Sequence, residues 1–338
     1  MKIFVVSAYS LSFKVLSVRL QPPWTAILWK VRTFGNKFRF NSKGIFILEE
    51  SVNFLRLLLS PTIYKKDCLI ICENCPFSVL MFGKWLRVWG IQKRIYLFHF
   101  FLHSLGNAAA IRKILKFLLD QEVGIMAFSS SERDYFKNLS PKADVRFTPW
   151  CGEPGFEVDP LQIENGDYIF SGGHSNRDYD VLIHCARKLP QTRFIIVCSK
   201  RNVMPEPIPA NVKIFKDITP KNFHTLLARS KAVVIPLKNN VGASGQMAAL
   251  AAMEFGKPAV YTDFDVVSQY FENGTNGLKY QAGNLDSLML ALSLILNDQS
   301  VCTEMGRQAR LRWERAFKGN EMEQAIVNHL TDFMGIPL

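Results

Sequence analysis

Two stretches of this 338-residue chain put small and polar residues where an anion would need them. The first, Ser171-Gly172-Gly173-His174-Ser175-Asn176-Arg177-Asp178, carries an apolar run through a glycine turn into a helical pattern. Glycines let backbone N–H groups come close to an anion, the helix N-terminus adds partial positive charge, and Arg177 offers paired donors to phosphate oxygens. An ordinary strand-to-helix turn reads the same way, with Asp178 as the cap and Arg177 exposed. In the second, Ser244-Gly245-Gln246-Met247 opens an apolar helix that stops at Gly256-Lys257-Pro258. Helix-start amides at Ser244, Gly245 and Gln246 suit an anion, and Lys200 follows another strand-like run. No Asp-x-Asp metal motif is found, and neither a metal nor a cofactor is expected.

Positioning these stretches is the task of a regular alternation that begins at Asp167. Strands are expected at Tyr168 to Ser171, Thr192 to Cys198, Val212 to Phe215, Ala232 to Pro236 and Ala259 to Thr262. Helices are expected near Asp178 to Lys188, Lys221 to Arg229, Gly245 to Phe255 and Val266 to Glu272. Short β-branched runs separated by longer helical ones spell a doubly wound parallel sheet. Helical spacing continues through Leu285 to Asn297, Ser300 to Phe317 and Glu321 to Phe333, the last with no strand left to cross to, which suggests that it returns to the other half. The N-terminal half has strand-like runs at Lys2 to Ala8, Cys68 to Cys72, Arg94 to Phe98 and Val123 to Ser129. Helical spacing lies between and after them, at Glu49 to Leu59, Phe77 to Trp89, Asn107 to Asp120 and Ser130 to Leu139. The breaker-rich Pro149-Trp150-Cys151-Gly152-Glu153-Pro154-Gly155 separates the patterns. The expected organisation is residues 1–150, residues 151–318, and a terminal helix at 319–338.

Further segments follow in order: Tyr270-Phe271-Glu272-Asn273-Gly274-Thr275-Asn276-Gly277, Ala282-Gly283-Asn284 and Met305-Gly306 to Ala309-Arg310. With the two stretches above, this half resembles the donor-binding domain of family 4-type GT-B glycosyltransferases (glycosyl transferases group 1) over about Tyr168 to Phe317. The resemblance implies two Rossmann-like doubly wound α/β domains facing a cleft, with a nucleotide-diphosphate sugar held by Gly172, Gly173, Arg177, Lys200, Ser244, Gly245 and Gln246. One departure stands out. The two glutamates of the family's Glu-x7-Glu motif align with Ala243 and Ala251. Glu254, a helical turn from Ala251, or Gln246, nearer the cleft end, could substitute; Glu254 also reads as a solvated helix residue.

Such an enzyme needs a hydrogen-bonding acid or base from its N-terminal half. His99 and His103 follow the strand ending at Phe98, and Glu73 follows the one ending at Cys72. A core histidine or a loop carboxylate would leave the same trace. Residues 1–150 hold 22 Lys+Arg against 9 Asp+Glu, which is +13 of the chain's +12, leaving −1 for the remainder. That half should meet something negative. Lys14, Arg19, Lys30, Arg32, Lys37, Arg39 and Lys43 interleave with Trp24, Trp29, Phe34, Phe38 and Phe40, and Ile111 to Leu119 is a basic amphipathic run. An anionic membrane surface fits both, ahead of nucleic acid, which is not expected.

Apolar residues at 48% against 21% charged exclude disorder. Seven cysteines without zinc-ligand spacing fit a reducing compartment, and Cys72-x-x-Cys75 reads as two small buried residues rather than a redox pair. No run reaches the roughly 18 apolar residues of a spanning helix. The expectation is a cytoplasmic, metal-independent glycosyltransferase, peripheral on the inner face of the plasma membrane. It would pass a sugar from a nucleotide sugar, UDP-linked, to a lipid-linked or polysaccharide acceptor in cell-surface glycan synthesis. The alternatives are a non-catalytic glycan- or lipid-binding GT-B subunit and a nucleotide-sugar 2-epimerase.

Overall fold

A computed structural model describes residues 2–7, 25–30, 54–55, 57–59, 64, 68–72, 76–98, 109–151, 166–240, 242, 244–319 and 321–335, with backbone alone at 2–7, 25–30, 68, 76 and 98. The chain forms two compact units, Met1–Thr148 with Glu323–Leu338, and Pro149–Met322.

In the first unit β1 (Lys2–Ser7), β2 (Thr25–Lys30), β3 (Cys68–Cys72), β4 (Ile95–Phe98), β5 (Val123–Ala127) and β6 (Asp144–Phe147) make a six-stranded sheet in the order β2-β1-β3-β4-β5-β6. Every pairing is parallel. A parallel sheet covered on both faces wants unbroken apolar strands, and β5, Val-Gly-Ile-Met-Ala, is buried at all positions. The helices α1 (Pro76–Val88), α2 (Ala109–Leu119) and α3 (Ser130–Leu139) supply the cover. Ser129 caps α3 by accepting from the Glu132 N–H. Strands β2 and β6 are not apparent in the sequence pattern: β2 lies inside the basic aromatic stretch, and β6 is a four-residue edge strand whose residues are exposed or half-buried save Val145.

The last helix, α10 (Glu321–Met334), packs on this same sheet. Its His329 is buried, with Nδ1 3.0 Å from the Tyr96 hydroxyl on β4 and Nε2 3.2 Å from Asp144 on β6. Arg146 pairs with Asp332 at 2.6 Å. A side chain at Gly124 would meet the Phe333 ring, so β5 carries a glycine where the helix comes closest.

The second unit holds β7 (Ile169–Gly172), β8 (Phe194–Cys198), β9 (Val212–Lys216), β10 (Ala232–Ile235), β11 (Ala259–Thr262) and β12 (Gly277–Tyr280) in the order β12-β11-β10-β7-β8-β9. All pairings are again parallel. The connecting helices are α4 (Tyr179–Lys188), α5 (Pro220–Ala228), α6 (Gln246–Glu254), α7 (Asp265–Ser268), α8 (Leu285–Asn297) and α9 (Gln299–Ala316). Side chains cap α4 (Asp178), α5 (Thr219), α8 (Asn284) and α9 (Asp298). The helix α6 starts without such a cap. It is apolar almost all round, Ala248 to Met253 being buried, and α9 lies close against its C-terminal turn, where Gly306 faces the Gly256 carbonyl. The expected helix at Val266 to Glu272 is shorter, ending at Ser268.

Candidate functional site

The strand order of the second unit reverses between β7 and β10, and in open α/β sheets ligands bind outside the carboxyl ends of strands at such a point. Three exits meet there. Arg177 and Leu237 form an antiparallel bridge, the Asp178 N–H donates to Pro236 O at 2.9 Å, and the Lys238 N–H donates to Asn176 O at 3.1 Å. Asn176, in the left-handed region at φ 56, donates from Nδ2 to Asn239 O at 2.7 Å. From the exit of β8, Asn202 Nδ2 donates to His174 O at 3.0 Å. The turn after β7 is thereby tied to the segments following β8 and β10.

Arg177 is the clasp of this turn. Its Nε donates to Gly172 O at 3.0 Å and its Nη1 to Ser175 O at 2.7 Å. It is buried, and burial pulls its pKa down, with Tyr179 acting the other way. Gly173 sits at φ +128, and a Cβ there would land on the guanidinium. The glycine is required by both its backbone angle and the arginine packed over it. His174 is half-buried, its pKa lowered by burial first and then by Arg177 and Arg201. Positive charge therefore gathers at this edge.

Opposite the turn, α6 begins at Gly245 with φ +89 and no side-chain cap. The first intrahelical bond runs from the Ala249 N–H to Gly245 O at 2.9 Å. A side chain at Gly245 would stand 3.1 Å from Cγ2 of both Ile235 and Val267. Just before it, Ser244 is 3% exposed and its hydroxyl has no hydrogen-bond partner among the described residues; Ser171, at 1%, is in the same condition at the end of β7. Two buried hydroxyls without partners cost the empty protein about 1–3 kcal/mol each. An uncapped helix start just after the Ser244 hydroxyl is the arrangement a phosphate oxygen would satisfy.

Comparison with known proteins places this unit. Residues 174–312 match the family model described as glycosyl transferases group 1. Over those residues the chain is similar to the group 1 glycosyltransferases. No curated protein sequence matches the chain. Among solved structures, the sucrose-phosphate synthase of Thermosynechococcus elongatus superposes with a TM-score of 0.73 at 11% identity, covering 99% of both chains. A glycosyltransferase from Rickettsia africae ESF-5 gives 0.66 at 13% identity over 98% of both. HepE of Anabaena, solved with UDP and glucose, gives 0.65 at 13% over 98% of this chain and 100% of its own. The fold is the two-domain GT-B fold.

Within the second unit, Gly172, Gly173, Arg177, Ser244, Gly245 and Gln246 lie around the carboxyl ends of β7 and β10. Lys200, beyond β8, is exposed, with its Nζ 4.0 Å from Asp217 and its N–H 3.3 Å from the same carboxylate. Glu254 is not part of this group. It ends α6, eight residues after Gln246, so roughly 12 Å of helix separates it from the helix start. Ala251 is fully buried, so the position aligned with the family's second glutamate faces packing. Ala243, His99, His103, Glu73 and the basic aromatic stretch apart from the backbone of β2 lie outside the described residues.

The reading of Asp-x-Asp spacings takes a correction, since Asp178-Tyr179-Asp180 and Asp263-Phe264-Asp265 have it. Asp178 caps α4, Asp180 pairs with Lys238 at 3.1 Å, and Asp263 pairs with Lys279 at 3.0 Å. Among the described residues no cluster of three or more His, Cys, Asp or Glu could hold a metal. The burial of Ser244 and its missing hydroxyl partner are not visible in residue types alone.

Proposed function

We propose that this chain transfers a sugar from a nucleotide-diphosphate sugar, UDP-linked, to a lipid-linked or polysaccharide acceptor in cell-surface glycan synthesis, on the cytoplasmic face of the membrane. The observation that carries the donor half is the uncapped start of α6 at the strand-order reversal, with the partnerless, buried hydroxyl of Ser244 just before it. The solved complex of HepE with UDP and glucose, a protein of the same fold, supports the choice of nucleotide. When the bond to the sugar breaks, negative charge develops on the departing diphosphate. Amides at the start of α6 and the Lys200 ammonium stabilise that charge without a metal ion or a cofactor. Arg177, spent on Gly172 and Ser175, keeps the turn in shape and adds its field. His99, His103 or Glu73 would activate the acceptor from the first unit.

A thermal-shift screen of the full chain against UDP, GDP, CMP and their sugar conjugates tests the reading. A ligand at about 100 times its Kd stabilises by about 2.7 kcal/mol, a rise of roughly 5–10 °C for a unit of this size. No shift with any nucleotide would refute donor binding. Release of UDP from the stabilising conjugate in the presence of membrane extract then separates catalysis from binding.

The buried methyl of Ala251 favours a second reading, a non-catalytic glycan- or lipid-binding subunit of the same fold. Nucleotide binding without turnover would select it. A nucleotide-sugar 2-epimerase would instead interconvert two UDP-sugars with no acceptor present.

A further inference from the structure

The helices α1 and α2 carry Lys84, Arg87, Arg112, Lys113 and Lys116 and not one carboxylate. On α2 the residues that enter the core are Leu115, Leu118 and Leu119. Ala110, Ile114 and Phe117, spaced four and three apart, form an outward stripe instead, with Ile114 51% and Phe117 65% exposed. Beside it α1 turns outward Met81 and Val88, seven residues apart, the latter 82% exposed, and is followed by Trp89, 68% exposed. The helices meet at Phe117, whose ring lies 4.8 Å beneath the Lys84 ammonium. Asp120, the one acid at the end of α2, is already engaged: its carboxylate holds Lys142 at 2.7 Å, and its main-chain oxygen accepts from Lys84 at 2.7 Å and Arg87 at 3.2 Å.

An aliphatic and aromatic strip edged by cations does two different things at once. The apolar part enters the boundary between headgroups and acyl chains, while the cations stay at the phosphate level; an exposed tryptophan at the edge suits the same depth. We propose that the α1–α2 face of the first unit docks on an anionic phospholipid bilayer. Single-stranded nucleic acid would match the charge but gains its sequence-tolerant affinity by stacking bases on aromatic rings. Here the strip is largely aliphatic, and Phe117 is covered on one side by Lys84. The proposal uses no residue of the second unit, so it stands or falls apart from the donor reading.

Co-sedimentation of the full chain with vesicles tests it. The protein should pellet with phosphatidylcholine–phosphatidylglycerol vesicles and stay in solution with phosphatidylcholine alone, and added salt should release it. Each basic residue near an anionic surface contributes about fivefold in affinity, so the combined Arg112→Gln, Lys113→Gln, Lys116→Gln variant should bind on the order of a hundredfold more weakly. The pair Ile114→Ser and Phe117→Ser removes the strip while keeping the charge, and should lower binding to the same anionic vesicles. Both variants alter exposed positions, and unchanged thermal unfolding and far-UV circular dichroism would certify their folds. Wild-type vesicle binding by either variant would overturn the proposal, as would equal binding to neutral and anionic vesicles. Tighter binding to a single-stranded oligonucleotide than to anionic vesicles would also overturn it, and would assign the face to nucleic acid.

Discussion

Replacing Ser244 by alanine should push stability and ligand binding in opposite directions. The side chain is 3% exposed and its hydroxyl finds no partner among the described residues, so the empty protein carries the desolvation cost of that group, about 1–3 kcal/mol. Alanine keeps the Cβ and removes only the oxygen, leaving a void too small to cancel the gain. Unfolding free energy without ligand should therefore rise by about 1 kcal/mol, which lifts Tm by roughly 2–4 °C in a unit of this size. With the diphosphate bound, the same hydroxyl donates to a charged oxygen, an interaction that contributes about 1.5–3 kcal/mol. UDP affinity should accordingly fall on the order of ten- to a hundredfold. Urea unfolding of the ligand-free protein and calorimetric titration with UDP read the two effects separately. A Ser244→Ala protein that is less stable when empty and binds UDP like the wild type would refute the reasoning, since the hydroxyl would then have a structural partner and no ligand.

Other positions make equally direct claims. At Gly306 an added Cβ would strike the Gly256 carbonyl, so Gly306→Ala must push α9 off the end of α6 and should cost about 1–3 kcal/mol or more, read from the urea midpoint. Restoring the family carboxylate by Ala251→Glu puts a charge into a fully buried site, so UDP affinity should not improve and stability should drop by several kcal/mol in the same two assays. His224 has its pKa pulled from the ordinary 6.5 down to about 4 by burial. Below pH 6.5 the unfolded chain takes up a proton there that the folded protein withholds until about pH 4, so stability falls as pH drops through that window. Urea midpoints for His224→Gln measured from pH 7 to pH 4 should decline less steeply than those of the wild type.

Much of the second unit was legible because its signals are local. Strands such as Ala232–Ile235 and Ala259–Thr262 are short β-branched runs bounded by breakers, and helices start at visible caps, Asp178, Thr219 and Asn284 among them. The strands β2, β6 and β12 carried weaker signals. Thr25–Lys30 lies within a basic aromatic stretch that reads as surface, and Asp144–Phe147 alternates on an edge with only four residues to declare itself. Gly277–Tyr280 begins on a glycine at the end of a turn-like segment, and its pairing with β11 supplies what its composition does not.

For the site, residue types alone pointed to the glycine turn after β7 and to Ser244-Gly245-Gln246, since few other patterns leave amides open at a helix start. The role of Arg177 was decided only in three dimensions. A side chain that reads as a phosphate ligand turns back onto the carbonyls of Gly172 and Ser175, because those acceptors lie within its reach once the turn closes. The place of Glu254 was likewise set by the helix: α6 runs away from the carboxyl edge of the sheet and carries the glutamate to its far end. The sequence by itself determined the fold class, the direction of the strands and the places of the glycine turn and the uncapped helix start, because these follow from periodicity and from what glycine and helix ends permit. Which hydroxyls are left without partners, which cation is consumed by the backbone, and which apolar helix residues remain outside the core were decided by tertiary packing, since each depends on groups brought together from distant parts of the chain.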